Sequence, residues 1–318
     1  MVAEMYIGID LGGTNIAAGL VNENCEIIAK KSIPTKAERP VGEIIADMAV
    51  LARELTVEAG LNESGVEWVG IGAPGTVDAK NGVIVYANNI GFRDTPVAEI
   101  FKTYYNVPVF LGNDANCAAL GEAYAGAAKG CDTAVMITLG TGLGGGIIID
   151  RRIYAGFNGA GGELGHMVIV KDGVPCSCGR RGCWEAYSSA TALIRMTAEA
   201  MERDTEKKSL LWEMTGGIDK VSGKSAYRAA DQGDAVAKEV VKTYEEYLAS
   251  GIATIINIFQ PQVVCIGGGV SHEGDNLLVP LKKLVFSEVY TRNVAQTELK
   301  IATLGNNAGI VGAAMLGK

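Results

Sequence analysis

The sequence has no surplus of basic charge, no long unbroken apolar run, and only two histidines in 318 residues. Each shortage excludes something. A net charge of −8 and a pI near 5.0 argue against non-specific nucleic-acid binding and against an anionic membrane surface. The most apolar window, Ala134–Ile149, is broken by glycines and makes a poor membrane span. The opening residues, Met1 to Tyr6, carry neither a basic segment nor an apolar core of the secretory kind. A cytoplasmic location is therefore expected, with the seven cysteines reduced. Familiar nucleotide signatures are missing as well. Gly223-Lys224-Ser225 has Ile218 where a Walker A loop needs its first glycine. No H-R-D or D-F-G accompanies the glycine-rich loops, so a protein kinase is excluded. Low-complexity segments and long linkers are absent too.

What the chain does have is apolar residues, at 48%, and 42 glycines. The length suits two domains. The glycines gather in short turns beside apolar runs, as backbone that approaches phosphates does. Tyr6–Asp10, Ile16–Val21 and Ile27–Ile33 read as an antiparallel meander, and Val41–Ala59 as a helix with Gly60 beyond its end. Strands are expected at Trp68–Ala73, Val83–Tyr86 and Val107–Leu111, followed by a small-residue helix over Ala115–Ala128. Ala134–Leu139 and Gly146–Asp150 repeat the strand–turn–strand pattern of the N-terminus, a weak internal repeat. Helices are expected at Trp184–Arg203, Asp234–Phe259 and Asn306–Leu316, and a buried strand at Val263–Ile266. The class is α/β, with two domains and a cleft between them.

Three glycine turns each follow a strand: Asp10-Leu-Gly-Gly-Thr-Asn, Leu139-Gly-Thr-Gly-Leu-Gly-Gly-Gly, and Ile266-Gly-Gly-Gly-Val-Ser. Backbone amides there can reach phosphate oxygens, and Thr14 and Thr141 add hydroxyls. The second turn matches G-x-G-x-x-G, but Ile147-Ile-Ile-Asp after it is strand-like, whereas a dinucleotide fingerprint opens a helix. Asp10 can hold Mg²⁺ against nucleotide phosphates or merely cap its turn. Phosphoryl transfer to a hydroxyl needs a proton acceptor. Asp114, at the end of an apolar strand, is the candidate, and a helix N-cap is its alternative reading.

Four metal-ligand types fall close together at His166, Cys176, Cys178 and Cys183. C-x-C-x₄-C with an upstream histidine suits a closed tetrahedral zinc site, which orders a loop and activates no water. Cys25, Cys117, Cys131 and Cys265 stand alone and read as core filler. Glu163 and Glu185 flank the cluster, and carboxylates of this kind grip vicinal sugar hydroxyls.

Together these residues resemble the ROK family of sugar kinases and repressors, and within it the ATP-dependent glucokinases. The likeness covers essentially the whole chain and is most specific in Glu163-Leu-Gly-His166 and Cys176-Ser-Cys-Gly-Arg-Arg-Gly-Cys183-Trp-Glu185. It implies an actin-like ATPase (ribonuclease H-like) fold, with a small domain of residues 1–115 plus 306–318 and a large domain of residues 116–305 carrying the zinc loop. The implied activity is transfer of the ATP γ-phosphoryl group to the 6-hydroxyl of glucose, with Asp114 as general base. Gly75, Asn89, Asn113, Asp114, Glu163, His166 and Glu185 become sugar contacts by this likeness. Asp10, Gly12, Gly13, Thr14, Asn15, Gly140, Thr141, Gly142, Gly268 and Gly269 become nucleotide contacts. His166 and the three clustered cysteines would hold structural Zn²⁺. Phe92 stands where many relatives carry tryptophan. The family's repressors carry an additional N-terminal helix-turn-helix domain, for which a phosphate motif starting at Asp10 leaves no room. Other readings within the family are a kinase for N-acetylmannosamine, N-acetylglucosamine, mannose or fructose, or a sugar-sensing regulator without catalysis. Glucose and ATP are the expected partners, with no nucleic acid and no membrane, in a homodimer or homotetramer.

Overall fold

The computed structural model describes residues 4–318. The chain opens with β1 (Met5–Leu11), β2 (Asn15–Asn22) and β3 (Ile27–Pro34), then α1 (Val41–Glu58), as the hydrophobic periods predict. β4 (Trp68–Ala73) follows, then a small antiparallel sheet of β5 (Thr76–Asp78), β6 (Val83–Ala87) and β7 (Phe92–Thr95). After α2 (Val97–Tyr104), β8 (Val109–Asn113) runs directly into α3 (Asp114–Ala125). β9 (Ala134–Leu139), β10 (Leu143–Ile149) and β11 (Arg152–Ile153) come next. The helical stretch is α4 (Glu185–Ser188), α5 (Ala190–Arg203), α6 (Leu210–Thr215), α7 (Ser225–Asp231) and α8 (Ala235–Phe259). β12 (Val263–Gly267), α9 (Asp275–Glu288), β13 (Glu298–Ile301) and α10 (Ala308–Ala314) complete the order.

The weak repeat in the sequence is a repeat of topology. One five-stranded sheet has the order β3-β2-β1-β4-β8 and the other β11-β10-β9-β12-β13. In the first, β1–β2 and β2–β3 pair antiparallel, and β1–β4 and β4–β8 parallel. In the second, β10–β11 is antiparallel and β12–β13 parallel. The chain parts into two compact units. One holds the chain up to Met136, Gly146–Gly162 and Thr303–Lys318; the other holds Ile137–Gly145 and Glu163–Ala302.

In the first unit the central strands are buried on both faces, which is why they read as unbroken apolar runs. α1 covers one part of the sheet, and α10 packs on β1 and β4. Glycines set how closely α10 approaches. A Cβ on Gly8 would lie 1.9 Å from the Ile310 carbonyl oxygen, and one on Gly70 1.7 Å from that of Ala313. The helix therefore lies on bare strand backbone. Glu122 of α3, fully buried, accepts from the amides of Leu304 at 2.8 Å and Thr303 at 3.2 Å, and so fixes the turn that leads into α10.

Two expectations change. The helix over Trp184–Arg203 is broken, because Ser189 leaves the helix and its hydroxyl accepts from the Ala192 amide at 3.0 Å, starting α5 afresh. β10 begins at Leu143, so Gly144, Gly145 and Gly146 belong to the strand and not to the turn. Gly146 is needed for packing, since a Cβ there would meet Ala119 Cβ at 2.5 Å. Cys117 and Cys265 are buried as expected, whereas Cys25 and Cys131 are half-buried.

Candidate active site

In the first unit, strand ends deliver two carboxylates. Asp10 lies near the end of β1, and Asp114 follows β8. Asn113, not Asp114, caps α3: its Oδ1 accepts from the Asn116 amide at 3.2 Å. Asp114 is thus spared the capping role that sequence alone allowed it. Its Oδ1 accepts from the Ala115 amide at 2.8 Å. Burial, and after it the Asp114 carboxylate, push Asp10 up to about 6. Part of that burial comes from α10, as a Cβ on Gly309 would lie 2.7 Å from Asp10 Oδ2. Beneath the pair lies Cys117, whose Sγ would lie 3.1 Å from a Cβ on Gly72 and 3.0 Å from one on Gly112.

Two further groups gather here. Asn113 Nδ2 donates to the Gly75 carbonyl at 3.1 Å. Gly75 has φ +83°, and a Cβ there would strike the Tyr86 carbonyl at 2.1 Å, so the position demands glycine. Asn89 is exposed, and its Cβ is 3.9 Å from where a Cβ on Gly13 would sit. The first glycine turn and a predicted sugar contact are therefore neighbours.

In the second unit the Cys/His stretch has almost no regular structure beyond a short 3₁₀ turn at Leu164–His166. It is held by isolated bridges between Val168 and Cys183 and between Pro175 and Arg181. Trp184 pins its end: the ring is fully buried, donates from Nε1 to the Tyr247 carbonyl at 3.1 Å, and fills the space left by Gly251. The donor atoms of His166, Cys176, Cys178 and Cys183 all lie within 4.8 Å of one another. Cys178 Sγ is 3.7 Å from Cys183 Sγ, and Cys176 Sγ is 3.7 Å from His166 Nδ1. Zinc–sulfur bonds of about 2.3 Å in a tetrahedron require sulfur–sulfur edges of roughly 3.8 Å, so the set fits structural zinc. Burial pushes the Cys183 thiol up to about 12, while the Arg180 amide holds Cys178 below the usual thiol value. The Glu163 carbonyl accepts from the His166 amide at 3.1 Å. Glu185 Oε2 accepts from the Leu143 amide at 2.9 Å, just after the second glycine turn, and its Oε1 faces Cys176 Sγ at 3.8 Å.

The comparisons with known proteins agree with these features. The profile of the ROK family matches residues 6–318. The chain belongs to the ROK family. It is 38% identical to a glucokinase from Halalkalibacterium halodurans over 98% of this chain and 94% of that one. A ROK glucokinase from Streptomyces griseus, solved with glucose and AMPPNP, is 37% identical with a TM-score of 0.79, covering 98% of each chain. A ROK hexokinase from Thermus thermophilus is 34% identical with a TM-score of 0.81, covering 98% of this chain and 97% of that one. The α/β fold is accordingly that of the actin-like ATPases.

In this ROK protein each glycine turn is buckled by a hydroxyl, two of the three from outside the motifs. Thr35 Oγ1 donates to the Gly12 carbonyl at 2.6 Å, and the Thr35 amide to the Thr14 carbonyl at 2.8 Å. Thr191 Oγ1 donates to the Thr141 carbonyl at 2.7 Å, while the Ala190 amide donates to that of Gly140 at 2.8 Å. Ser271 Oγ donates to the Gly268 carbonyl at 2.7 Å. The Gly12 and Gly140 amides donate within their own turns, to the Asn15 and Gly142 carbonyls at 2.9 and 3.0 Å, so any amide offered to a phosphate comes from the residues that follow them. Gly13, Thr14, Asn15, Thr141, Gly268 and Gly269 are exposed. Only Ser271, within its motif, was legible beforehand. Thr35 and Thr191 lie far along the chain from Gly12 and Thr141, and no local pattern marks them. Gly268 has φ +84°, and a Cβ there would lie 2.5 Å from the Leu139 amide nitrogen, so the third turn rests on the start of the second.

Proposed function

We propose that the chain is an ATP-dependent glucokinase that transfers the γ-phosphoryl group to the 6-hydroxyl of glucose. The observation that carries this is the pair of half-buried carboxylates at strand ends, Asp10 and Asp114, in a chain so similar to glucokinases over its full length. Asp114 accepts the proton of the 6-hydroxyl as that oxygen attacks the γ-phosphorus, and ADP leaves with the electron pair of the broken bond. Asn113 is fixed at both ends of its amide and so positions Asp114 on the first turn of α3. The glycine turns around Gly12–Asn15, Gly140–Gly142 and Gly268–Gly269 cradle the nucleotide through their amides. Gly75, Asn89, Asn113, Glu163, His166 and Glu185 bind the sugar.

Asp10 would hold Mg²⁺, whose positive charge offsets both the Asp114 repulsion that raises the Asp10 pKa and the charge of the transferring phosphates. His166, Cys176, Cys178 and Cys183 would hold Zn²⁺, which braces the loop carrying Glu163 and Glu185. His166 faces the cysteines through Nδ1, which leaves Nε2 for the sugar. Among the described residues no helix is long and apolar enough to cross a membrane. A cytoplasmic location and a homodimer or homotetramer belong to the proposal. The test is ADP release over a panel of hexoses with ATP, other nucleotides and polyphosphate. Glucose with ATP should give the highest kcat/KM; binding of sugar with no turnover on any donor would overturn the proposal.

A further inference from the structure

The four clustered donors of the second unit differ in how far solvent reaches them. Cys178 is exposed, His166 and Cys176 are half-buried, and Cys183 is fully buried. Cys178 and Cys183 nevertheless face each other, with their Sγ atoms 3.7 Å apart, while Cys176 Sγ is turned to His166 Nδ1 at 3.7 Å. Glycine makes that pairing possible. The segment between Cys178 and Cys183 is Gly-Arg-Arg-Gly, and Gly179 and Gly182 lie at φ +86° and +79°. The Cys183 end is fixed: the Gly182 amide donates to the Val174 carbonyl at 2.8 Å, and the Gly182 carbonyl accepts from the Ile169 amide at 2.9 Å. A disulfide bond is about 2.0 Å long, so the two sulfurs need to approach by less than about 2 Å, a movement that rotation of the exposed Cys178 side chain supplies. The other four cysteines stand apart from this pair. Cys25, Cys117 and Cys131 belong to the first unit, and Cys265 is buried in β12.

We propose that Cys178 is a site of oxidation by hydroperoxides, and that Cys183 resolves it as a disulfide and so empties the zinc site. The inference rests on the zinc reading given above. The Cys178 sulfur attacks one peroxide oxygen; the S–O bond forms, the O–O bond breaks and hydroxide leaves, giving a sulfenic acid. The Cys183 sulfur then attacks Cys178 Sγ, the S–S bond forms, the S–O bond breaks and a second hydroxide leaves. Two thiolates have lost two electrons in total, and one peroxide has gained them. The order follows from burial: an oxidant from solvent meets Cys178, whereas Cys183 is reached only by its neighbour. His166 and Cys176 remain, too few donors for a closed tetrahedral site. The change extends to the proposed sugar contacts, because Glu185 follows Cys183 by two residues and its Oε1 faces Cys176 Sγ at 3.8 Å. A thiol reductant reverses the bond, in keeping with the transient, redox-sensing disulfides of reducing compartments.

Graded hydrogen peroxide on the zinc-loaded full chain tests this, read by a chromogenic zinc chelator and by peptide mass mapping. The expected result is release of about one zinc per chain together with a disulfide joining Cys178 to Cys183, both reversed by dithiothreitol and added zinc. Glucose KM should rise roughly tenfold or more and recover with the metal. Cys25→Ser with Cys131→Ser should leave the release and the disulfide unchanged. Cys178→Ser should form no disulfide to Cys183; if it fails to fold, mapping of the unaltered chain still decides. A chain purified without zinc would sink the zinc reading and this inference with it. Three results would overturn the inference alone: zinc retained at peroxide levels that already oxidise the exposed Met214, zinc lost without the Cys178–Cys183 bond, or a first sulfenic acid trapped on another cysteine.

Discussion

The two units hold their charged groups by opposite means. In the first, Asp10 and Asp114 stand at the ends of hydrogen-bonded strands, Asp10 pressed under a helix that lies on glycine backbone. In the second, Glu163, His166 and Glu185 lie on or beside a stretch between β11 and α4 that has no strand of its own. Its rigidity comes from one buried tryptophan and four clustered donor atoms. The difference shows what each arrangement is suited to. Packing tolerates a cost in electrostatics, because a well-filled layer keeps a carboxylate where water would otherwise draw it out. A loop has no such layer, and its four clustered donor atoms fit a metal that would take the place of a core.

The largest effect should come from the base. Asp114→Asn keeps the shape of the strand tip and should lower kcat by about 10²–10⁴-fold, with glucose affinity retained. A loss of only a few-fold in steady-state kinetics would remove Asp114 from the proton path. Removing zinc comes next and probes the other unit. Cys178→Ser should reduce the metal content from about one zinc per chain and raise the KM for glucose more than it lowers kcat. Elemental analysis and kinetics on the same sample check this, and full activity without zinc would refute the brace.

The third prediction sharpens the contrast by pH. Asp10 has a folded pKa of about 6, above its ordinary value of 3.8, so between those values the folded chain binds more protons than the unfolded one. Stability therefore falls as pH rises through that window, by at most about 3 kcal/mol, and stays lower above it. Asp10→Asn removes this penalty. It should raise the melting temperature at pH 7.5 but not at pH 4, while abolishing turnover. Equal melting shifts at both pH values would show that Asp10 carries no such penalty. The smallest effect is structural. Gly70→Ala should cost about 1–3 kcal/mol in a denaturant titration by lifting α10 from the sheet, and leave zinc content intact.

What the sequence disclosed and what it hid follow from the same contrast. The meander, α1, β4 and α8 were legible because each repeats an apolar period long enough to count. The Cys/His cluster was legible because its chemistry is rare and its residues lie close in the chain. The break at Ser189 was hidden, although a serine there is a capping residue, because the apolar period runs on through it. α9 was hidden by Pro280 inside it. The hydroxyl clamps of Thr35 and Thr191, and the cap made by Asn113 instead of Asp114, depend on where distant segments meet, which no local pattern records.

The seating of α10 on Gly8 and Gly70 also governs the order of events during synthesis. β1 and β4 leave the ribosome early, but the helix that roofs them is translated only after the entire second unit. Until then the underside of the first sheet stays bare, and Asp10 stays bathed in water. A nascent or prematurely ended chain thus carries the first glycine turn without the half-buried carboxylate beside it. Burial of Asp10 waits for nearly the last segment to be made, and the uncovered sheet in the interval is apolar surface of the kind that chaperones cover.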